Sequence, residues 1–293
     1  MKPPLFLGID GGATRCRARI VNDGGAVLGE GEAGTANPRF GVVEAFAEIE
    51  KAAGAALRMA GLPADAFSRL HAGLGLAGVG QAKDRAAVLA HPHRFAAIAV
   101  ATDAHAACLG AHAGGDGAIL ILGTGSCGWA LIGGRDRRIG GLGFPISDQG
   151  SGASLGLEAI RRSLWAHDGV VPKGPLSAAV MARFGDDPEA AVAWMDSAQP
   201  RDYAAFAPLV VEHAAARDPM AVALMERNTA DAARMTEALL ATGAPRLALM
   251  GGLAPFVEPW LPPPLRDLLV APVGDALDGA LLLARQAKKG SAA

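Results

Sequence analysis

The stretch that decides the fold is GAILILGTGSCG, residues 117–128. It opens on an apolar run, Ala118–Leu122, too short for a helix and rich in Ile and Leu, the pattern of a buried strand. The run stops at Gly123-Thr124-Gly125-Ser126, two glycines with two hydroxyls. Glycine lets backbone N–H groups approach an anion without a Cβ in the way, and hydroxyls add donors, which is what a phosphate requires. A plain hairpin turn accommodates the same residues, so this stretch alone leaves both readings open. It has a counterpart near the N-terminus. Leu5–Asp10 is again a short apolar run that meets Gly11-Gly12-Ala13-Thr14 and continues as Cys16–Val21. Laid on one another, Asp10 falls on Thr124 and Gly11 on Gly125. Two strand–turn–strand units with glycine-and-hydroxyl turns predict a duplicated architecture gripping one polyphosphate from both sides.

A chain of 293 residues is long enough for two domains with full cores. The balance of 27 basic against 29 acidic residues, with no basic stripe, argues against nucleic acid or an anionic membrane as partner. Three widely spaced cysteines, Cys16, Cys108 and Cys127, suggest a reducing compartment and no disulfide framework. The N-terminus reads as a strand without a cleavable leader, and no apolar run reaches the length of a membrane span. The expected location is the cytoplasm.

Residues 5–34 read as a three-strand meander, Leu5–Asp10, Cys16–Val21 and Ala26–Ala33, with turns at Gly11-Gly12 and Asn22-Asp23-Gly24-Gly25. Asp10 ends the first strand beside the turn that carries Thr14. An Asp there holds a water or Mg²⁺ near a phosphate, or bonds its own loop. In the loop Gly34–Pro38, Asn37 both donates and accepts, which suits sugar hydroxyls, although an Asn-Pro turn uses the same residue. Val42–Ala60 has helical spacing and Gly61 closes it. Residues 73–78 spell G-x-G-x-x-G, but the preceding strand is weak and no acid stands about 20 residues on, where a dinucleotide ribose would be held. The segment reads instead as a glycine-rich strand and loop edging a small-molecule cleft. After a helix at Gln81–Ala90, the strand Phe95–Ala101 ends in Thr102-Asp103 and a helix covers Ala104–His112. Asp103 either caps that helix or, at the carboxyl end of a strand, accepts the proton of an attacking sugar hydroxyl. His105, Cys108 and His112 have conceivable metal-ligand spacing, though an Ala-rich helix reads more simply as a packed face.

Beyond the central stretch come a strand, Trp129–Ile132, and a charged turn, Arg135-Asp136-Arg137-Arg138. GGLGFPISDQGSG, residues 140–152, presents Asp148 and Gln149 from a glycine-lined segment suited to a polyol or amino sugar, and Ser151 is placed to cap a helix over Ala153–Trp165. Residues 170–243 form a proline-punctuated helical block without a chemical motif, and Trp165 and Trp194 are expected in its core. The block closes with an amphipathic segment, Met220–Thr242, and Gly243. The strand Arg246–Met250 runs into Gly251-Gly252, which either leaves flat space for an adenine ring or makes a plain turn. Asp275–Gln286 reads as a helix and Lys288–Ala293 as a frayed tail. No G-x-x-x-x-G-K-[ST] occurs, which excludes a P-loop kinase.

Asp10-Gly11-Gly12-x-Thr14, Thr102-Asp103-Ala104, Gly123-Thr124-Gly125-Ser126 and Gly251-Gly252, in this order along the whole chain, resemble the actin-like ATPase-domain superfamily of sugar kinases, Hsp70 and actin. GTGSCG, FPISDQGSG at Phe144–Gly152 and PRDY at Pro200–Tyr203 resemble, within it, the BadF/BadG/BcrA/BcrD-type group that includes glucosamine and N-acetylglucosamine kinases. The resemblance implies an α/β fold of two ribonuclease-H-like (actin-like ATPase) lobes with an interlobe cleft, one lobe over residues 1–114 and one over 115–293, the helical block at about 170–243 lying in the second. It implies that Gly11, Gly12 and Thr14 form one phosphate loop, Gly123, Thr124, Gly125 and Ser126 the other, and that Gly251 and Gly252 contact adenosine. It further implies Asp103 as catalytic base, Asn37, Gly78, Asp103, Gly143, Asp148 and Gln149 as sugar contacts, and Asp10 near Mg²⁺. The implied reaction is ATP-dependent phosphorylation of the 6-hydroxyl of D-glucosamine, a small-molecule amino sugar, by a chain that forms a homodimer. N-acetylglucosamine kinases of this group tend to have Glu where Gln149 stands, which leaves the state of the sugar 2-position open. N-acetylglucosamine as acceptor, and a BadF-type ATPase or activator without a sugar, are the alternatives.

Overall fold

The computed structural model describes residues 3–12 and 14–290; Ala13 of the first glycine turn and the last three positions of the expected tail lie outside them. The first sheet is built from β1 (Leu5–Gly11), β2 (Cys16–Val21), β3 (Val27–Ala33), β4 (Leu70–Leu76) and β5 (Ala97–Thr102), in the order β3-β2-β1-β4-β5. β1 to β3 are the expected antiparallel meander. β4 and β5 run parallel to β1, so Gly11, Leu76 and Thr102 end level with one another. Parallel neighbours need a crossover, and α1 (Val42–Met59) and α2 (Ala82–Ala90) make the two connections.

Alternation along β1 sends its side chains to two helix layers. Leu5, Leu7 and Ile9 join Phe46, Ile49 and Ala53 of α1 in one core, each such aliphatic side chain contributing about 1.5–3 kcal/mol by burial. Phe6 faces the other way, with Leu281 and Ala284. The G-x-G-x-x-G run is explained by these layers. A Cβ on Gly73 would lie 2.6 Å from the backbone nitrogen of Ala284, and one on Gly75 would lie 2.6 Å from Cβ of Ala106. The glycines let helices lie directly on β4; they make no dinucleotide turn.

From β5 the chain enters α3 (Asp103–Ala111) and then a second sheet of β6 (Gly117–Leu122), β7 (Ser126–Ile132), β8 (Arg135–Gly140) and β9 (Leu247–Met250), in the order β8-β7-β6-β9. This repeats the β3-β2-β1-β4 order of the first sheet, β9 is parallel to β6 as β4 is to β1, and a parallel bridge from Leu247 to Leu269 extends the sheet past β9. The duplication holds in topology and not residue for residue: Asp10 lies within β1, whereas Thr124 lies in the turn after β6. Arg135–Arg138 is not a turn but the start of β8. Gly133 and Gly134, both at positive φ (56° and 74°), make the turn, and an edge strand tolerates a charged run on its exposed face.

The helical elements that follow are α4 (Gly152–His167), α5 (Pro175–Ala182), α6 (Pro188–Met195), α7 (Pro200–Ala204), α8 (Ala207–Ala215), α9 (Pro219–Leu240), α10 (Ala254–Val257), α11 (Pro263–Arg266) and α12 (Ala276–Gly290). The prolines of the block are starts rather than breaks: Pro188, Pro200 and Pro219 each open a helix, where the missing N–H costs nothing. Trp194 is half-buried against Phe184, Tyr203 and Phe206, as expected of a packed aromatic. Trp165 is not in the core; it is 47% exposed and lies under the Arg162 guanidinium. The expected tail is also shorter, because α12 continues to Gly290.

The described residues divide into two compact units. The first takes the chain up to Gly117, Leu131–Asp136 and the chain from Ala271 onward; the second takes Ala118–Ala130 and Arg137–Val270. The division is therefore not a single cut between 114 and 115, since α12 packs on α3 and β4 of the first unit.

Candidate functional site

In the first unit the carboxyl ends of the parallel strands gather Asp10, Gly11, Asn37, Gly78 and Asp103 of the expected site residues. Open α/β sheets hold ligands at this edge. Asp103 is the first residue of α3, directly after β5. The cap of that helix is Thr102, whose hydroxyl accepts the His105 N–H at 3.1 Å. Asp103 uses Oδ1 for the neighbouring Ala104 N–H at 2.8 Å. Burial pushes the Asp103 carboxyl above the usual Asp range, the Ala104 N–H pulls it back, and the nearby Asp10 charge adds to the rise. Asn37 and Gly78 are brought together: a Cβ on Gly78 would collide with the Asn37 side-chain oxygen, which also accepts the Arg39 N–H at 3.0 Å. Gly78 sits at φ 85°, so glycine is required there for conformation as well as space.

The first glycine turn follows β1. Gly12 N–H donates to Arg15 O at 2.9 Å, the Thr35 hydroxyl donates to Gly12 O at 3.2 Å, and Thr14 is exposed. Gly11 is the last residue of β1, where a Cβ would lie 2.5 Å from Leu76 Cδ2, so a side chain there would have to displace the Leu76 methyl. Asp10 lies opposite Arg17 on β2 and takes two bonds from it, at 2.7 and 3.1 Å, both on Oδ2.

In the second unit the turn Gly123–Gly125 is closed by Gly123 N–H to Gly125 O at 2.9 Å and braced by α4, whose Gly152 and Ala153 N–H groups donate to Gly123 O and Thr124 O. Thr124 is exposed. Ser126 is buried, and its hydroxyl donates to Gln149 O at 2.6 Å. Asp148, buried and at φ 70°, faces the backbone N–H groups of Gly143, Ser126 and Phe144; burial raises its pKa and those N–H groups oppose the rise. A Cβ on Gly125 would lie 2.7 Å from the Asp148 carboxylate, so the turn and the acidic loop touch. Gln149 is exposed. Ser126 is thus occupied in holding the Asp148–Gln149 loop, whereas Thr124 points outward.

A cavity of about 580 Å³ opens beside this turn. Gly123, Thr124, Gly252 and Leu253 line it on the sheet side, and Ala207, Val211 and Glu212 of the helical block on the other. Gly251, at φ 95° and with no room for a Cβ against the Leu122 backbone, turns the chain so that Gly252 borders the cavity. The small residues of α7 and α8 carry no chemical signature, and no motif in the sequence pointed to them. Arg17 could have been found, since counting outward from the first turn pairs it with Asp10.

His105, Cys108 and His112 are the packed face of α3: His105 Nδ1 lies 2.8 Å from Asp136, the Cys108 thiol faces Gly117 O, and the His112 ring abuts Gly117. Among the described residues no group of three or more His, Cys, Asp or Glu is placed to hold a metal ion by itself. Mg²⁺ does not need one, because it keeps waters and uses one or two carboxylates plus substrate phosphates. Asp10 fits that role, with Oδ1 unbonded among the described residues. No helix of the described residues is long and apolar enough to cross a membrane.

Comparison with known proteins adds four findings. The profile of the BadF/BadG/BcrA/BcrD ATPase family matches residues 7–256. The glucosamine kinase GspK of Vibrio cholerae is 46% identical over 279 residues, covering 95% of either chain. A crystal structure of a proposed N-acetylglucosamine kinase from Chromobacterium violaceum superposes with a TM-score of 0.89 at 39% identity, covering 96% of this chain and 99% of that one. A ROK family glucokinase from Streptomyces griseus shares the fold, with a TM-score of 0.53 at 19% identity over 98% of this chain and 100% of that one.

Proposed function

This chain belongs to the BadF/BadG/BcrA/BcrD ATPase family, and from that premise we propose that it is an ATP-dependent amino-sugar kinase that phosphorylates the 6-hydroxyl of D-glucosamine. The observation that carries the reading is Asp103, a carboxylate at the end of a parallel strand whose basicity burial raises and whose helix is capped by its neighbour instead. Phosphoryl transfer is mainly positioning and electrostatic stabilisation. Asp103 orients the attacking hydroxyl and takes its proton. Asn37, Gly78, Gly143, Asp148 and Gln149 are the residues assigned to the sugar. Gly11, Gly12 and Thr14, and Gly123, Thr124, Gly125 and Ser126, are assigned to the phosphates, with the exposed Thr14 and Thr124 hydroxyls as donors. The cavity beside Gly252 takes adenosine. Mg²⁺, when bound, shields the phosphate charge and is faced by Asp10.

The reading extends to the cytoplasm as compartment, which three cysteines without a disulfide among the described residues support, and to a homodimer, which sedimentation measures. The relative from Chromobacterium violaceum keeps N-acetylglucosamine as the competing acceptor. The test is a coupled ADP-release assay over glucosamine, N-acetylglucosamine, glucose and mannosamine. Glucosamine should give the highest kcat/KM. ADP release that no sugar stimulates would replace the kinase with an ATPase of the same family.

A further inference from the structure

Arg17 does more than neutralise Asp10. Its guanidinium spans two carboxylates, Nε and Nη2 on Asp10 and Nη1 on Asp275 at 3.2 Å, with Arg17 27% and Asp10 22% exposed at the side chain. Asp275 precedes α12 and accepts the N–H groups of Leu277 and Asp278, while Asp278 accepts the Asp275 N–H in return. Two residues along β2, on the same face, Arg19 bonds Asp278 at 2.7 Å and Glu30 at 2.6 Å. Positive and negative groups thus alternate from Asp10 through Arg17, Asp275, Arg19 and Asp278, which fastens the start of α12 to β2. α12 in turn lies directly on α3. A Cβ on Gly110 would collide with Asp275 O and one on Gly279 with Ala106 O, so no side chain separates the two helices. Asp103 is the first residue of α3. One guanidinium therefore grips one carboxylate directly and, through α12, buttresses the helix that presents the other.

We infer that Arg17 is a positioning residue for phosphoryl transfer, holding Asp10 by Oδ2 so that Oδ1 faces the metal–phosphate group, and locking the start of α12 beneath the helix of Asp103. This rests on the reading of Asp10 as the carboxylate that faces Mg²⁺. A planar fork suits the role, because one lysine ammonium cannot reproduce three bonds to two carboxylates in fixed directions. Partners that orient metal-facing groups typically change metal affinity or activity by about 10–100-fold when removed.

The experiment measures Mn²⁺ affinity by titration in the presence of a non-hydrolysable ATP analogue, together with kcat, KM and Tm, for Arg17→Met, Arg17→Lys, Asp10→Asn and the double variant Asp10→Asn/Arg17→Met. Arg17→Met should weaken Mn²⁺ binding and kcat by about 10-fold or more, with a smaller effect on the glucosamine KM. Arg17→Lys, which keeps the charge and the fold, should recover only part of the metal affinity. In Mn²⁺ affinity the double variant should be no worse than Asp10→Asn alone, because toward the metal the two residues act as one unit. Wild-type Mn²⁺ affinity in folded Arg17→Lys or Arg17→Met, with only Tm lowered, would overturn the inference and leave Arg17 a fold contact. If Asp10→Asn itself keeps wild-type Mn²⁺ affinity, the metal-facing reading of Asp10 fails, and with it the role given to Arg17.

Discussion

Replacing Asp103 with Asn separates the chemistry from the fold. The two side chains have the same shape, and the Asn oxygen can still accept the Ala104 N–H that Oδ1 accepts at 2.8 Å. Thr102 keeps its cap. What is lost is basicity, and loss of a positioned base costs a factor of about 10²–10⁴ in kcat, or about 2.7–5.4 kcal/mol of barrier. The folding term goes the other way. Burial raises the Asp103 pKa above its unfolded value, so the ionised form is disfavoured in the native state. That penalty is present at pH above the folded pKa and disappears as pH falls below the unfolded one. A neutral Asn never carries it, so Asp103→Asn should melt at the wild-type temperature or higher at neutral pH. The assay is steady-state ADP release with glucosamine, calorimetric titration of an ATP analogue, and thermal melting on the same preparations. The wild-type kcat should fall on the acid side with an apparent pKa above the ordinary Asp range, and the variant should lack that limb. A kcat within threefold of wild type would refute the base assignment. A lowered Tm with parallel loss of nucleotide affinity would show that Asp103 serves the fold.

Three further outcomes are expected. Thr124→Val removes an exposed hydroxyl beside the cavity and should raise the KM for ATP several-fold while leaving the KM for glucosamine unchanged; equal ATP affinity in competition binding would remove Thr124 from the phosphate turn. Gly251→Ala places a Cβ 2.7 Å from the Leu122 carbonyl carbon at φ 95°, and should cost about 1–3 kcal/mol of stability in thermal melts. Gly252→Val, where a Cβ meets nothing within 4 Å, should melt like wild type yet block ATP by projecting into the cavity, and undiminished nucleotide binding would relocate the adenosine site.

The sequence made the fold readable because its decisive segments are local. Ala118–Leu122 and Leu5–Asp10 are short apolar runs bounded by glycine, so strand, turn and duplication follow from spacing alone. Features that depend on distant partners were not readable in the same way. Charge alone made Arg135–Arg138 look like a turn, because periodicity cannot reveal that Gly133-Gly134 turns the chain first and that the charged run pairs at a sheet edge. Trp165 reads as core by residue type, and only the packing of α4 shows its ring at the surface. The candidate site divides along the same line. Asp103, Asn37, Gly78 and Asp148 carry polar chemistry or a glycine requirement and stand out in the chain. Ala207 and Val211 line the cavity by shape, through helix packing that no motif encodes. Ser126 was readable as a donor, but not as one whose hydroxyl is turned to Gln149 O.

The central claim is that this chain moves a phosphoryl group from ATP to an amino sugar with Asp103 as base. The most direct measurement is phosphorus NMR of ATP and glucosamine incubated with the wild-type chain and with Asp103→Asn. The account predicts a phosphomonoester resonance of glucosamine 6-phosphate that grows one for one with ADP in the wild type and is nearly absent in the variant, which still binds the nucleotide. Inorganic phosphate as the product, at a rate indifferent to glucosamine, would contradict it.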